Sequence, residues 1–245
     1  MRFEARAIVC GLRNHGEHGA IVRLMTLEHG LQAAYVRGAR GRRMRPVLIA
    51  GNIVEAQLSA RTHAQLAQAS LELIRSRGPL LSEPLPAAAI DWVTVLTASL
   101  VPEGQPYPRL YEAFEALLEA IEVAPSASGW GTGLVRYELL LLAELGFGLD
   151  LDGSALGGID DELVAVSPRS GRGLSAAEAA LDAGRLLRLP RFLREGGQAS
   201  WSEIDEGLAL TGHFLLRDLI TERLRPIAEA RARLVERLRR AGGLA

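Results

Sequence analysis

The stretch AIVRLMTLEHGLQAAYV, residues 20–36, contains two short apolar segments separated by Glu28-His29-Gly30. Both segments are rich in Val, Ile, Leu and Ala and partly alternate between apolar and polar residues, which is typical of half-buried strands. A short connection that contains glycine favours a tight hairpin. The stretch therefore predicts two antiparallel strands, Ala20–Leu27 and Leu31–Val36.

Three further segments of the same kind lie on either side of this hairpin: Phe3–Leu12, Ile53–Ala60 and Gln65–Ile74. Clusters of Gly, Asn, His and Arg bound them, and Asn14–Gly19 supplies a turn between the first two strands of the chain. Five short strands within about 75 residues suit a small closed barrel of the OB-fold type.

The chain after residue 80 shows helical rather than strand periodicity. The proline-punctuated segment Gly78–Pro86 is predicted to be a linker out of the barrel. Ser175 and Glu178 have the spacing of a capping box, which predicts the start of a helix. The other helical patterns cover residues 85–101, 107–123, 132–145 and about 211–240, with Pro226 as a kink or break in the last.

Two of these helices have distinctive surfaces. The helix at 132–145 carries few charges and is predicted to be a buried central helix. The helix at 107–123 has an apolar face, and its opposite face is predicted to be solvated. That acidic face consists of Glu112, Glu115, Glu119 and Glu122.

The fold class predicted from these patterns is α+β, with an N-terminal five-stranded OB-fold β-barrel followed by an α-helical bundle domain. The predicted domains are residues 1–80, which would bind nucleic acid, and residues 81–245. An irregular Gly/Asp-rich insertion is expected at about 147–175.

The basic residues are unevenly distributed, although the formal net charge is only −1. All 28 are arginine, so a single arginine is weak evidence and only clustering is informative. Residues 1–80 hold 12 arginines against 5 acidic residues, residues 81–165 hold 2 against 14, and residues 166–245 hold 14 against 10. We expect separate surfaces with separate partners.

The densest cluster is RGARGRRMR, residues 37–45, between two predicted strands. Guanidinium groups on a glycine-containing loop, presented by a rigid sheet, are suited to gripping a phosphate backbone. The candidate DNA-binding residues are Arg37, Arg40, Arg42, Arg43 and Arg45. The alternative for Arg37 and Arg45 is that they pair with local acids such as Glu28 or Glu55.

Several classes of site are not expected. The single cysteine, Cys10, excludes internal disulfides and a cysteine-based zinc site, and the five histidines show no metal-ligand spacing. No nucleophile elbow, phosphate-binding loop or dinucleotide fingerprint is present, so we expect no enzyme activity and no cofactor. No window of the sequence is apolar enough for a membrane span, and a cytoplasmic protein is expected.

Four stretches in order resemble the RecO family of bacterial recombination mediators. They are GEHGAIVRLMTLEHGLQAAYVRGARGRRMR (16–45), RYELLLLAELGFGLDL (136–151), VSPRSGRGLS (166–175) and GLALTGHFL (207–215). The resemblance spans nearly the whole chain. It departs from many members at Gly153–Gly158, where their cysteines, in some cases a zinc-binding set, are missing, so no zinc is expected.

The resemblance implies an accessory role in recombinational repair. Members bind single- and double-stranded DNA, anneal complementary strands, act with the partner RecR and help load the RecA recombinase onto DNA. That DNA is coated by single-strand DNA-binding protein, whose acidic, hydrophobic C-terminal tail is contacted. A nucleoid-associated bacterial protein is implied.

A groove in the helical part is the expected site for that tail, with Arg136, Arg169 and Arg172 as candidate contacts for its carboxylates. The alternative for Arg136 is a pair with Glu138 or another helix acid. Two rival functions are a protein-interaction scaffold that does not bind DNA and has a structural barrel, and a metal-dependent enzyme that acts on nucleic acids through the loop Asp150–Asp161.

Overall fold

The structure is a computed structural model that describes residues 2–62, 65–151, 162–181 and 184–244. It divides into two compact units, Met1–Val123 and Ala124–Ala245. Each unit is described by itself below. The domain boundary between residues 80 and 81 stays a prediction, because the first compact unit also contains two helices that follow the barrel.

The first unit is built on a closed five-stranded barrel, which confirms the predicted fold class. The strand order is β1-β2-β3-β5-β4, and β1 closes the barrel because it pairs with both β2 and β4. All neighbouring pairs are antiparallel except β3 and β5, which are parallel. The strands are β1 (Arg2–His15), β2 (Gly19–Thr26), β3 (Gly30–Val36), β4 (Ile53–Ser59) and β5 (Ala67–Arg75).

The barrel interior is filled by alternate residues of each strand. Val9, Val22, Leu24, Val54 and Leu58 are among its buried members, together with several alanines. The hairpin between β2 and β3 turns at Gly30, whose φ of 65° favours glycine, and a Cβ there would overlap the backbone of Gln105. Period-two patterning therefore produced the core that the sequence predicted.

The segment after the barrel is helical almost at once. Instead of the predicted linker, Gly78–Ser82 forms a 3-10 helix, and α1 (Pro84–Leu100) begins two residues later. Both helices have proline in their first turn, where a missing N–H costs no hydrogen bond. The second helix of this unit is α2 (Pro108–Val123).

The second unit contains the predicted central helix, α3 (Ser128–Glu144), which buries Trp130, Leu134 and Leu141 and packs against α6 (Trp201–Phe214). A small three-stranded sheet of order β7-β6-β8 was not predicted, because its strands are too short to show alternation. The remaining elements are β6 (Leu163–Val166), β7 (Gly173–Ser175), α4 (Ala176–Leu181), β8 (Leu187–Arg188), α5 (Phe192–Glu195), α6 (Trp201–Phe214) and α7 (Arg225–Ala241).

The helical pattern predicted from residue 211 to 240 is in fact the end of one helix and the whole of another. A π-helical turn, Leu215–Leu219, and a 3-10 turn, Glu222–Leu224, separate α6 from α7. Pro226 lies in the first turn of α7, so of the two predicted alternatives the break is confirmed and the kink is not. The Ser175 capping box is confirmed, since Glu178 N–H donates to Ser175 Oγ and Ser175 N–H donates to Glu178 Oε2.

No helix in the described part of the chain combines the length and the apolar character that crossing a bilayer requires.

Candidate nucleic-acid interface

The arginine-rich segment Arg37–Arg45, called here the arginine loop, leaves the barrel at the end of β3. Gly38 has a φ of 67°, and turns close between Gly41 N–H and Gly38 O and between Met44 N–H and Gly41 O. Met44 is half-buried against the barrel core, and Val47 beyond it is buried. The loop is thus anchored by its apolar residues, while its basic residues face outward.

All five predicted DNA-binding arginines are exposed in this loop: Arg37, Arg40, Arg42, Arg43 and Arg45. Among the residues that the structure describes, no carboxylate lies within ion-pair distance of any of them. The alternative pairing of Arg37 or Arg45 with Glu28 or Glu55 is therefore not formed. Their charges are available to a ligand.

A buried asparagine fixes the return of the loop to β4. Asn52 is fully buried, and its Nδ2 donates to Pro46 O (2.8 Å) and Val47 O (3.1 Å). Its Oδ1 accepts from Arg77 N–H (2.8 Å). Because both the Nδ2 and the Oδ1 of this buried amide are hydrogen-bonded, Asn52 holds the backbone of the loop's return in one conformation. Sequence reasoning missed this residue, since a single asparagine before a strand resembles an ordinary turn residue.

Four other arginines of the first unit pair with acidic residues that follow the barrel in the chain. Arg6 pairs with Glu115, and Arg23 pairs with Glu103. Arg75 lies 3.0 Å from Glu119 and also contacts Glu122. The glutamates of α2 were predicted to form a solvated face. Three of the four instead pair with arginines of the barrel or of the connection that follows it.

Arg77 is the most deeply buried of these arginines. Its side chain is 0% exposed, its Nη1 donates to Gly51 O (2.6 Å), and its Nε lies 3.5 Å from Glu122. Burial lowers the pKa of Arg77, and the nearby Glu122 carboxylate opposes that change. The Arg77 side chain therefore links the connection between β5 and the 3-10 helix to Glu122 of α2.

These pairings divide the twelve arginines of residues 1–80 into two groups. Four are paired with acidic residues of the segment that contains α2. In the described part of the chain the other eight have no ion-pair partner. Five belong to the arginine loop, and the remaining three are Arg2, Arg13 and Arg61.

The eight unpaired arginines are spread along the barrel, since Arg2 and Arg13 lie near opposite ends of β1. Tyr35, two residues before the loop, pairs with Gln68, and Gln68 pairs with Ser59, whose other neighbour is Arg2. Arg75 pairs with Ile53, the first residue of β4 after the return of the arginine loop. The paired and unpaired arginines therefore differ in whether an acidic residue lies beside them, not in the end of the barrel on which they lie.

In the second unit, Arg136 does not pair with Glu138. Its Nη2 donates to Phe192 O (3.0 Å), and its guanidinium lies 5.6 Å from the centre of the Phe192 ring. Glu138 instead binds Arg231 through two hydrogen bonds of 3.0 and 2.7 Å. The predicted alternative for Arg136 with Glu138 is therefore wrong, although Arg136 is still exposed on the surface of α3.

The other two predicted tail contacts lie on one turn. Arg172 Nη1 donates to Glu178 Oε1 (2.9 Å), whereas Arg169 is exposed. The carbonyls of Pro168 and Arg169 accept from Arg217 Nη1, at 2.5 and 2.9 Å, and His213 Nε2 lies 3.0 Å from Pro168 O. The π-helical turn after α6 therefore holds the backbone that presents Arg169.

The glycine- and aspartate-rich segment cannot be placed as a site. Asp152, Asp160, Asp161 and the stretch Gly153–Gly158 lie outside the described residues. Within the described ranges no three His, Cys, Asp or Glu side chains come together as a metal ion would require.

The barrel and its surface define the class of the protein first. A closed five-stranded barrel of order 1-2-3-5-4, with an exposed basic connection after its third strand, is an OB-fold barrel. Residues 1–77 match the family model for the N terminus of recombination protein O, and residues 83–225 match that for its C terminus.

Full-length relatives agree with these matches. The chain is 42% identical to "DNA repair protein RecO" of Phenylobacterium zucineum over 100% of both chains. It is 41% identical to the protein of that name from Rhodospirillum centenum, over 98% of this chain and 96% of the relative. The chain belongs to the RecO family of DNA repair proteins, and its role lies in DNA repair and recombination.

Proposed function

We propose that the protein binds single- and double-stranded DNA without sequence specificity, through Arg37, Arg40, Arg42, Arg43 and Arg45, and anneals complementary strands. The observation that carries the proposal is the arginine loop, whose five exposed guanidinium groups have no carboxylate partner in the described structure. Arginine pairs bidentately with phosphate oxygens, which are the same at every nucleotide.

Charge neutralisation is the proposed mechanism of annealing. Two strands repel each other through their phosphates, and a cationic surface that holds one strand lowers the cost of the approach of the other. Base pairing then supplies the driving force. The protein needs no bond-breaking chemistry for this role, so we propose that it is not an enzyme and uses no cofactor.

Membership of the family supports a set of protein partners. We propose that the protein acts with RecR, contacts the C-terminal tail of single-strand DNA-binding protein, and so helps to load RecA onto DNA that this protein coats. Protein partners are consistent with the second unit, which adds a helical surface that the barrel does not supply.

Replacing Arg40, Arg42 and Arg43 together by alanine tests the DNA contact. The salt dependence of binding should become shallower by roughly 0.7 to 0.9 in the log-log slope for each phosphate that the variant no longer neutralises. DNA affinity at about 0.1 M salt should fall at least tenfold. Fluorescence anisotropy with a labelled oligonucleotide at several salt concentrations measures both quantities.

The matched control replaces the same three residues by lysine. It keeps the charge and removes the planar fork, so the salt slope should stay close to that of the unmodified protein. A slope that is unchanged in the alanine variant would remove the loop from the mechanism.

The tail contact is proposed at Arg136, Arg169 and Arg172. Arg169 has the greatest freedom to meet a carboxylate, because Arg136 already contacts Phe192 and Arg172 is bonded to Glu178. A tail peptide should bind Arg169→Ala about tenfold more weakly than the unmodified protein. If Arg136→Ala and Arg169→Ala both bind the tail peptide as tightly as the unmodified protein does, the tail binds at another site.

A scaffold role is the second candidate, because the first unit also has an acidic cleft. Its volume is about 700 Å³, and among the described residues that line it only Arg6 is basic. The acidic lining residues are Glu4, Glu28, Glu55, Glu112, Glu115 and Glu119. Annealing of complementary strands in the presence of a chelator would support the DNA-binding function over both the scaffold and a metal-dependent enzyme.

A further inference from the structure

A row of paired residues runs around the outside of the barrel beside the arginine loop. Cross-strand register joins six residues in sequence, and we call them the outer row. They are Arg13, Ile21, Tyr35, Gln68, Ser59 and Arg2, each paired with the next. Directly paired residues face the same side of a sheet, and all six are exposed or half-buried.

Both ends of the row lie on β1. Arg2 and Arg13 are an odd number of residues apart, so in a regular strand their side chains would face opposite sides of the sheet. The register shift between Val9 and Gly11 adds a residue and returns Arg13 to the outer face. The row therefore begins and ends with an exposed arginine.

None of the described residues that line the groove along one half of the row is acidic. It has a volume of about 720 Å³, and the polar residues that line it are Arg2, Ser59, Arg61, Gln65 and Gln68. Hydroxyl and amide side chains donate to phosphate and sugar oxygens and can also bind base edges. This lining contrasts with the acidic cleft on the same unit, which would repel a nucleic-acid strand.

The middle of the row holds its only aromatic side chain, Tyr35. The Tyr35 ring lies across Gly19, because a Cβ at Gly19 would overlap the ring atoms. His15 approaches the ring edge-on, with centroids 6.0 Å apart and an interplanar angle of 80°. Two neighbours thus restrict the ring, and a restricted aromatic ring is a suitable platform for a base.

We infer that the outer row binds a single strand of DNA, with a base stacked on Tyr35 and phosphates held by Arg2, Arg13 and Arg61. This inference rests on the proposed function, since it extends the contact of the arginine loop along the barrel. Six strand positions at a spacing of about 4.8 Å give a path of roughly 24 Å, which suits the few nucleotides that one OB-fold barrel contacts.

The outer row distinguishes single strands from duplexes, whereas the arginine loop does not. Bases of a single strand can turn out and stack on a ring, but the bases of a duplex are already stacked on each other. The loop contacts phosphates, which both forms present. Affinity for single strands therefore depends on Tyr35, and affinity for duplexes does not.

The test replaces Tyr35 by leucine and measures binding of an oligothymidine of about 15 nucleotides and of a duplex of similar length. We expect single-strand affinity to fall roughly tenfold, with an unchanged salt slope because no charge is removed. Duplex affinity should change less than twofold. Tyr35→Phe keeps the ring and should bind as the unmodified protein does, and Gln105→Ala, at an exposed position away from the row, is the neutral control.

A second variant covers the case in which Tyr35→Leu does not fold. Arg2→Ala with Arg61→Ala changes two exposed residues that make no ion pair in the described structure, and it should lower the single-strand salt slope by about 1.4. An unchanged slope in this variant, or unchanged single-strand affinity in folded Tyr35→Leu, overturns the inference.

The two proposals fail in different ways. If Arg40→Ala, Arg42→Ala and Arg43→Ala weaken binding but the outer-row variants do not, only the role of the row is refuted. If the outer-row variants weaken binding and the loop variant does not, the row and not the loop is the DNA contact. An unmodified protein that binds neither oligonucleotide overturns both.

Discussion

At the scale of single residues, the second unit is organised by one buried charged group. Glu138 on α3 is 0% exposed, and it accepts from Arg231 of α7 and from Thr211 of α6. Arg231 also donates to Leu208 O (2.7 Å). Three helices therefore meet at one carboxylate. The hydrogen bonds around it offset the cost of burying polar and charged groups.

Glu138→Ala should lower the free energy of unfolding by about 3 to 5 kcal/mol, because it leaves the Arg231 guanidinium buried without its carboxylate. Chemical denaturation followed by circular dichroism measures the change. Glu138→Leu combined with Arg231→Met should recover much of the loss, since no unpaired charge is then buried. A loss of under 1 kcal/mol in Glu138→Ala would show that water reaches the pair.

Cys10 is the second residue whose surroundings set its chemistry. Burial raises the pKa of the Cys10 thiol to about 12, so the reactive thiolate is nearly absent at pH 8. We expect native protein to resist alkylation by iodoacetamide at pH 8 and to react fully in denaturant. Mass spectrometry of the intact chain reads both states, and rapid labelling of native protein would contradict the burial of Cys10.

At the scale of elements, two helices of the second unit, α4 and α6, begin with a capping box. Ser200 caps α6: Glu203 N–H donates to Ser200 Oγ, and Ser200 N–H donates to Glu203 Oε2 (2.9 Å). The hydrogen bonds from the Ser200 backbone and hydroxyl lower the pKa of the Glu203 carboxyl. The cap sets the first turn of α6, which carries the buried face that packs on α3.

The Glu203 interaction should depend on pH. Because the pKa is lower in the folded state, its contribution is complete above the pKa of the unfolded chain and is lost as the pH falls through the folded value. Glu203→Gln should cost about 0.5 kcal/mol at pH 7, a small effect because the group is screened by solvent. Thermal unfolding at pH values from 7 to about 2.5 should show the difference shrinking; a constant difference would exclude the carboxylate charge as its cause.

At the scale of the whole molecule, the first unit sorts its arginines into a paired and an unpaired group. Arg6, Arg23, Arg75 and Arg77 pair with acids of the segment from residue 103 to 122, and the other eight arginines of residues 1–80 pair with none in the described structure. A near-zero net charge therefore conceals a basic surface, which is the property that controls DNA binding.

This sorting predicts where the chain can be divided. A fragment of residues 1–123 keeps the partners of Arg6, Arg23, Arg75 and Arg77 and should unfold cooperatively on heating. A fragment of residues 1–80 exposes Arg77 and the apolar surface under α1, so it should be much less stable. Calorimetry of the two fragments compares them. Equal stability would support a domain boundary at residue 80.

Much of the architecture was available from sequence, because it depends on local patterns. Partial alternation bounded by turn residues predicted the five strands, 3.6-residue periodicity predicted α2, and apolar stretches predicted α1 and α3. Local patterns gave less at the ends of elements: the π-helical turn after α6 and the strands β6 to β8 are too short to carry a period. The candidate site residues in the arginine loop were chosen from clustering alone, and their role in binding stays a proposal.

The sequence by itself determined the OB-fold barrel, the order of helices after it and the density of arginines in residues 37–45. Each of these features depends on residues that are close together in the sequence. Only the tertiary structure decided which arginines are free. Arg6 and Arg75 look like Arg2 and Arg61 in sequence, but α2 places glutamates beside the first two and not the others. Pairing between residues 40 or more positions apart depends on how elements pack, and no local pattern encodes it.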